Sequence, residues 1–413
     1  MNYSRHQYSS PFNMAVFAAG LGFFVDAFDL LLFNVIRIPS LKSLGFSGDD
    51  LTFAGESLLA IQMAGMMVGG VLSGVLADRK GRATVLFGSI LLYSIANLAN
   101  AAVTDFTSYA ILRFFAGVGL AGELGAGIVL VGEKMTSEKR GLGTILVATL
   151  GGLGAICAGL AGDLLHWRTA YIVAGAAGLL LLFLRMKNLE TAMFKKSIQN
   201  EGIQHGNFFM LFKPTERFQR FLKSVLIGVP IWYCVGMLIS FMPDLASQTG
   251  NTPANLGTCF ILFQVGIASG DLSSGLFSQF FKNRMKVMTF YMLIAFITCL
   301  IWFLNFQLWN LAISLVLLSF LMGFGCGYLS VFVTTTAETF GTNLRVTATS
   351  SVTNFMRGSV SILIPLQILL RNCFDLSLMY TLSIIGVLVW LLAFYSVLKS
   401  KETFGRDLDF YEE

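Results

Sequence analysis

Between residues 287 and 337 the chain carries no Asp, Glu, Lys or Arg. A helix needs only about 20 apolar residues to cross the hydrocarbon of a bilayer, so this run is too long for one crossing. It breaks at Asn305-Phe-Gln307-Leu-Trp-Asn310 and reads as two. Residues 57–77, 83–104, 141–162, 224–243 and 376–398 are also uncharged and of spanning length. In lipid every backbone N–H and C=O must be satisfied within its own segment, so these runs are helices. With the charge-bearing apolar segments, the pattern predicts twelve crossings. They fall at 13–36, 54–78, 83–104, 107–132, 141–163, 167–185, 221–244, 254–281, 287–304, 310–336, 346–370 and 376–398.

Composition agrees: 55% of the residues are hydrophobic and 12% charged, which excludes an ordinary soluble domain. The basic residues set the orientation. With both termini cytoplasmic, Arg37, Lys42, Arg168 and Arg371 fall outside, Arg113 and Arg357 lie within spans, and the other 22 of the 28 Lys and Arg face the cytoplasm. The net charge of +5 is therefore a record of topology and calls for no nucleic-acid partner. No cleavable signal peptide is expected ahead of the first span. The six Cys lie in or beside spans without a CxxC pair and read as packing residues, and the three His are scattered, so no metal site or cofactor is expected.

Local matches recur at offsets near 200 residues. Gly74 and Gly275 each close a small-residue run before a basic loop. Glu133 and Arg140 are repeated as Glu338 and Arg345, and Lys187-Asn-Leu-Glu190-Thr191 as Lys399-Ser-Lys-Glu402-Thr403. The expected fold is thus an all-α membrane protein with twelve transmembrane helices in two six-helix pseudo-symmetric halves. Residues 1–185 form the first bundle, 186–220 a basic, Phe-interleaved linker on the inner leaflet, 221–400 the second bundle and 401–413 a cytoplasmic tail.

Ionisable side chains inside spans are costly unless they face a polar interior, so each is a candidate functional residue. Asp26 and Asp29 share one face of span 1, and Arg113 and Glu123 lie in span 4, which runs the other way. At 1.5 Å per residue Asp29 and Arg113 match in depth and can pair, leaving Asp26 and Glu123 as two carboxylates near mid-depth. Two such groups in low dielectric cannot both stay ionised, which makes one a proton carrier. The alternative is a satisfied buried network of all four. Arg357, near the middle of span 11, suits a substrate carboxylate or phosphate, or else pairs with Asp271 of span 8. Trp232, Tyr233, Gln264, Tyr328 and Asn354 are candidates for the rest of the cavity, with core packing as the plainer reading of each aromatic.

Between spans 2 and 3 runs Gly74-Val-Leu-Ala-Asp78-Arg79-Lys80-Gly81-Arg82. Gly74 allows close approach of another helix backbone, and Asp78 can face a neighbouring helix N-terminus, where negative charge is stabilised. This loop resembles the cytoplasmic signature of the major facilitator superfamily of secondary transporters. The stretches Glu133…Arg140-Gly141 and Glu338-Thr-Phe-Gly-Thr342-Asn-Leu-Arg345 resemble that superfamily's loops after spans 4 and 10. Gly22-Phe-Phe-Val-Asp26-Ala-Phe-Asp29-Leu is similar to the first helix of its phosphate:proton symporters. Arg113-Phe-Phe-Ala-Gly117-Val-Gly-Leu-Ala-Gly122-Glu123 is similar to their fourth helix and to those of metabolite, aromatic-acid and organic-ion transporters. The resemblance implies proton coupling through Asp26, Asp29 and Glu123, and gating through Gly74, Asp78, Arg79, Arg82, Glu133, Arg140, Asp271, Glu338 and Arg345. Arg113, Arg357 and the polar and aromatic candidates above are the expected substrate contacts. No acid follows Trp232-Tyr233, where phosphate symporters carry one, so phosphate is not the expected substrate.

The expected protein is no enzyme. It is a proton-coupled symporter taking up a small organic anion or similar polar metabolite, monomeric in a bacterial inner membrane, with substrate, protons and lipid as its partners. A proton-driven efflux antiporter and a facilitator or sensor without proton coupling are the alternatives. Span 5 lacks the Pro of the superfamily's antiporters, and no long cytoplasmic sensor domain is expected.

Overall fold

The computed structural model describes residues 14–80, 82–123, 127, 131, 135, 140–189, 207–242, 245, 256–306, 312–406 and 410–412. Helices stand at all twelve predicted crossings. They are α1 (Met14–Ser43), α2 (Gly48–Lys80), α3 (Arg82–Asn100), α4 (Phe106–Leu120), α5 (Arg140–Leu164), α6 (Trp167–Leu189) and α7 (Thr215–Tyr233). Then follow α8 (Leu256–Phe281), α9 (Arg284–Leu304), α10a (Ala312–Cys326), α10b (Leu329–Thr339), α11a (Arg345–Gly358), α11b (Val360–Phe374) and α12 (Leu378–Leu398). Among the described residues nine helices are long and apolar enough to cross a membrane, and α3, α4 and α6 contain shorter apolar stretches. Their outward faces carry bare Leu, Ile and Phe, such as Phe17, Ile111, Leu180 and Leu391, which only lipid can cover. The chain is an integral membrane protein.

Among the described residues, predicted spans 10 and 11 are each divided into two helices. Span 10 breaks at Gly327-Tyr328, where the backbone passes so close to Gly270 and Asp271 of α8 that no Cβ fits at Gly327. Asp271 Oδ1 accepts from the Ser330 N–H (2.6 Å), so a buried carboxylate caps the positive end of α10b. Span 11 changes segment at Ser359. In α7 the ring of Pro230 removes one donor from the helical ladder, and the helix then widens into a π-helical turn over Cys234–Ile239.

Within the first half α1 packs on α5, α2 on α4, and α3 on α4 and α6; in the second α8 packs on α10a and α7 on α12. The halves meet along two seams, α2 against α11a and α5 against α8. Glycine makes the first seam possible: a Cβ on Gly74 would sit 2.8 Å from Thr347 Cα. Residues 190–206 of the predicted linker lie outside the described region. Its far end is built inward, with Phe208 packed on Phe355 of α11a, as is Phe221 of α7. The terminal segment folds back onto the helix ends. Glu402 accepts from the first two N–H groups of α9 (3.0 and 3.1 Å), and Glu412 pairs with Arg217 (3.1 Å) and Arg220 (2.9 Å).

Candidate functional site

Asp26 lies twelve residues into α1, and Arg357 is equally far into span 11 counted from Arg345, about 18 Å along each helix. The fold brings them together. Arg357 Nη2 donates to Asp26 Oδ2 at 3.2 Å, an ion pair joining the two halves, with both side chains buried. The Trp232 ring of α7 lies 5.9 Å from the Arg357 guanidinium carbon. Sequence depth offered Asp271 as the alternative partner of Arg357, but Asp271 is committed to capping α10b. Glu123, 2% exposed, acts on Asp26 as a like charge, as does Asp29.

The cluster keeps unspent polar atoms. Asp26 Oδ1, Arg357 Nε and, one helical turn before Arg357, Asn354 Oδ1 are buried without a hydrogen-bond partner; Gln264 Nε2, on α8, is likewise buried and unpartnered. Asn354 uses its amide on the Ala121 carbonyl (2.8 Å), tying α11a to the end of α4. Buried polar groups are ordinarily satisfied, so an unpartnered atom on each member of the ion pair leaves hydrogen-bonding capacity there.

Asp29 and Arg113 belong to a separate network. They are joined through Asn97 of α3, whose amide donates to Asp29 Oδ1 (2.6 Å) and whose carbonyl accepts from Arg113 Nη2. The expected direct pair is thus a relay, and the residue that makes it was missed. Its signal was an amide in an uncharged span, one of two there with Asn100. The Arg113 guanidinium lies over Tyr171 (4.8 Å) and Phe33 (5.2 Å), and Tyr171, Tyr109 and Ser40 continue the network by hydroxyl contacts of 2.6 and 3.0 Å. Arg113 has no exposed surface.

The basic face is where the two halves are closed in this conformation. Asp78 Oδ2 accepts from both the backbone N–H (2.8 Å) and the hydroxyl (2.6 Å) of Thr347, in the first turn of α11a. Ser73 and Ser350 touch across the same seam at 3.0 Å. In the second half Glu338 receives a two-pronged pair from Arg284 (2.7 and 2.8 Å), and Thr403 of the terminal segment donates to the same carboxylate. Arg345 donates to the Ala337 carbonyl and to Thr342. Arg79 is exposed beside Asp78. Glu133 and the side chains of Arg82 and Arg140 lie outside the described residues.

Tyr233 and Tyr328 are fully buried, and their hydroxyls are spent on backbone carbonyls, of Leu382 and Ile227 respectively, both at 2.7–2.8 Å. Arg37, counted as an outer loop charge, is in fact buried in α1 with its Nε beside Gly55.

Comparison with known proteins places this architecture. The family model of the Major Facilitator Superfamily matches residues 19–235. The 3-(3-hydroxy-phenyl)propionate transporter of Escherichia coli is 32% identical over 222 residues, 51% of this chain and 52% of that protein. The chain therefore spans about half the length of that curated relative. The cis,cis-muconate transport protein of Acinetobacter baylyi is 26% identical over 84% of this chain and 85% of its own length. The solved structure of the proton:xylose symporter XylE superposes with a TM-score of 0.76 at 15% identity, covering 95% of this chain and 97% of that one, a likeness of fold. The chain belongs to the major facilitator superfamily.

Proposed function

We propose that the protein is a secondary transporter that takes up a small organic anion together with a proton, using Arg357 as the anion's ligand and Asp26 as the proton carrier. The observation that carries this reading is the buried Asp26–Arg357 pair between the halves, with an orphaned atom on each partner. The planar guanidinium can bind a carboxylate through two parallel bonds. A substrate carboxylate arriving there displaces Asp26 from its cation. A bare carboxylate next to Glu123 inside the membrane is costly, so Asp26 takes up a proton as the anion binds. Release of the anion returns Arg357 to Asp26 and expels the proton. One site thus couples the two movements without any direct substrate–proton contact.

Asp29, Asn97 and Arg113 hold the first bundle rigid around this centre, and Asp78 holds the basic face shut. That face is cytoplasmic on the distribution of Lys and Arg, with both termini inside a bacterial inner membrane. The relatives named for a phenylpropionate and for muconate support a carboxylate substrate, and the fold neighbour named as a proton:xylose symporter supports proton coupling. The test is uptake into proteoliposomes across a panel of aromatic and aliphatic carboxylates, with sugars and amides as controls. Accumulation of a carboxylate that collapses when a protonophore is added is expected. Accumulation only of uncharged solutes, or accumulation indifferent to the protonophore, would contradict the proposal.

A further inference from the structure

On the basic face, between α7, α10b, the start of α9 and the terminal segment, a pocket of about 270 Å³ opens. Arg220, Lys223, Lys399, Lys401 and Arg406 line it, against Glu216 as the one lining carboxylate. Arg220 is engaged by Glu412 and the Thr339 carbonyl, and Arg406 stacks on Phe410 at 4.8 Å. None of the ion pairs among the described residues uses Lys223, Lys399 or Lys401. Gathering cations around one hollow raises a positive potential that favours a multiply charged anion.

The wall adds a second, independent mark. Thr334, Thr336 and Thr339 donate their hydroxyls back to carbonyls of their own helix at 2.7–3.0 Å. Thr335, which lines the cavity, is 7% exposed, yet its hydroxyl has no partner. An unpartnered hydroxyl in the wall of a lysine-lined pocket can donate a charge-assisted hydrogen bond to a phosphate oxygen, beside the ammonium charges.

We propose that this pocket binds a phosphate-bearing anion, held by Lys223, Lys399, Lys401 and the Thr335 hydroxyl. The terminal segment supplies Lys401 and Arg406, so the site exists only while that segment is docked. An occupant would join α7, the inner half of span 10 and the terminal segment into one body. The anion can be a soluble polyphosphate or the headgroup of an anionic lipid, because the pocket opens where the helices leave the bilayer.

The test uses the full-length protein in nanodiscs of phosphatidylcholine, with pyrophosphate as titrant in calorimetry, and native mass spectrometry of detergent-solubilised protein supplied with phosphatidylglycerol. Wild type should bind pyrophosphate or retain phosphatidylglycerol. The double variant Lys223→Gln/Lys401→Gln should weaken that binding at least tenfold. Lys42→Gln, an exposed residue at the far end of α1, should not change it. Pyrophosphate binding that persists in discs containing phosphatidylglycerol identifies a soluble ligand. Binding abolished in those discs identifies the lipid headgroup. If neither ligand binds wild type, or if the double variant binds as wild type does, the proposal is overturned.

Discussion

Replacing Asp78 by Asn should unlatch the basic face without unfolding the protein. In the closed conformation Asp78 Oδ2 takes two hydrogen bonds from Thr347, at 2.8 and 2.6 Å, at the positive end of α11a. A hydrogen bond to a charged group contributes about 1.5–3 kcal/mol, and a neutral one about 0.5–1.5 kcal/mol. Asn keeps an acceptor oxygen, so only the charge-assisted part is lost, together with about 0.3–1 kcal/mol of helix-dipole stabilisation. Asp78 is half-buried, which screens the effect, and a net shift of roughly 1–2 kcal/mol remains. That corresponds to a change of about 5- to 30-fold in the ratio of closed to open basic face. Nitroxides at Thr84→Cys and Lys286→Cys, at the heads of α3 and α9, report the separation of the halves by double electron–electron resonance in a background without native cysteines. Asp78→Asn should enlarge the long-distance population, and Thr347→Val, which removes only the hydroxyl donor, should do so by less. Superimposable distance distributions in wild type and Asp78→Asn would refute the latch.

Asn97→Leu should cost about 3–5 kcal/mol, because it strands Asp29 and Arg113 as buried ions; a melting temperature in detergent equal to wild type would count against the relay. Gly74→Leu should hold the basic face open, since the side chain occupies the space of Thr347, and substrate exchange at the wild-type rate would show that the seam need not close. Burial pushes the Glu412 carboxyl upward, but Arg220 and Arg217 outweigh it and hold it below its ordinary value of 4.5. The folded group is therefore the stronger acid. Its anchoring is complete above that ordinary value and is lost as pH falls through the lower folded one. Protease access to the terminal segment should rise only below pH 4.5, and Glu412→Gln should show that access already at neutral pH.

The crossings were legible because charge is so costly in lipid that its absence outlines each span. The interruptions at Gly327 and Ser359 were not, because small residues inside an apolar run look the same whether they serve helix packing or a break. Asp78 facing a helix N-terminus followed from the chemistry of its loop, although the identity of that helix required the fold. Counting residues placed Asp26 and Arg357 at mid-depth, yet rise along a helix says nothing about the direction a side chain faces. Their pairing spans 331 positions of sequence and depends on how the two halves are rotated against each other. Asn97 went unseen for a related reason: an amide in an uncharged span becomes a relay only when ions on two other helices flank it.

The central claim is that Asp26 carries the proton because substrate takes Arg357 from it. The direct test compares gradient-driven accumulation with substrate exchange at equal pH in proteoliposomes of wild type, Asp26→Asn and Glu123→Gln, using a carboxylate found in the uptake panel. Asp26→Asn fixes the neutral state, so it should abolish accumulation while exchange continues, because exchange moves no net proton. Glu123→Gln should retain accumulation and shift its pH dependence, since it removes a like charge next to Asp26. Accumulation by Asp26→Asn with the wild-type pH profile would contradict the account and leave Asp26 a structural partner of Arg357.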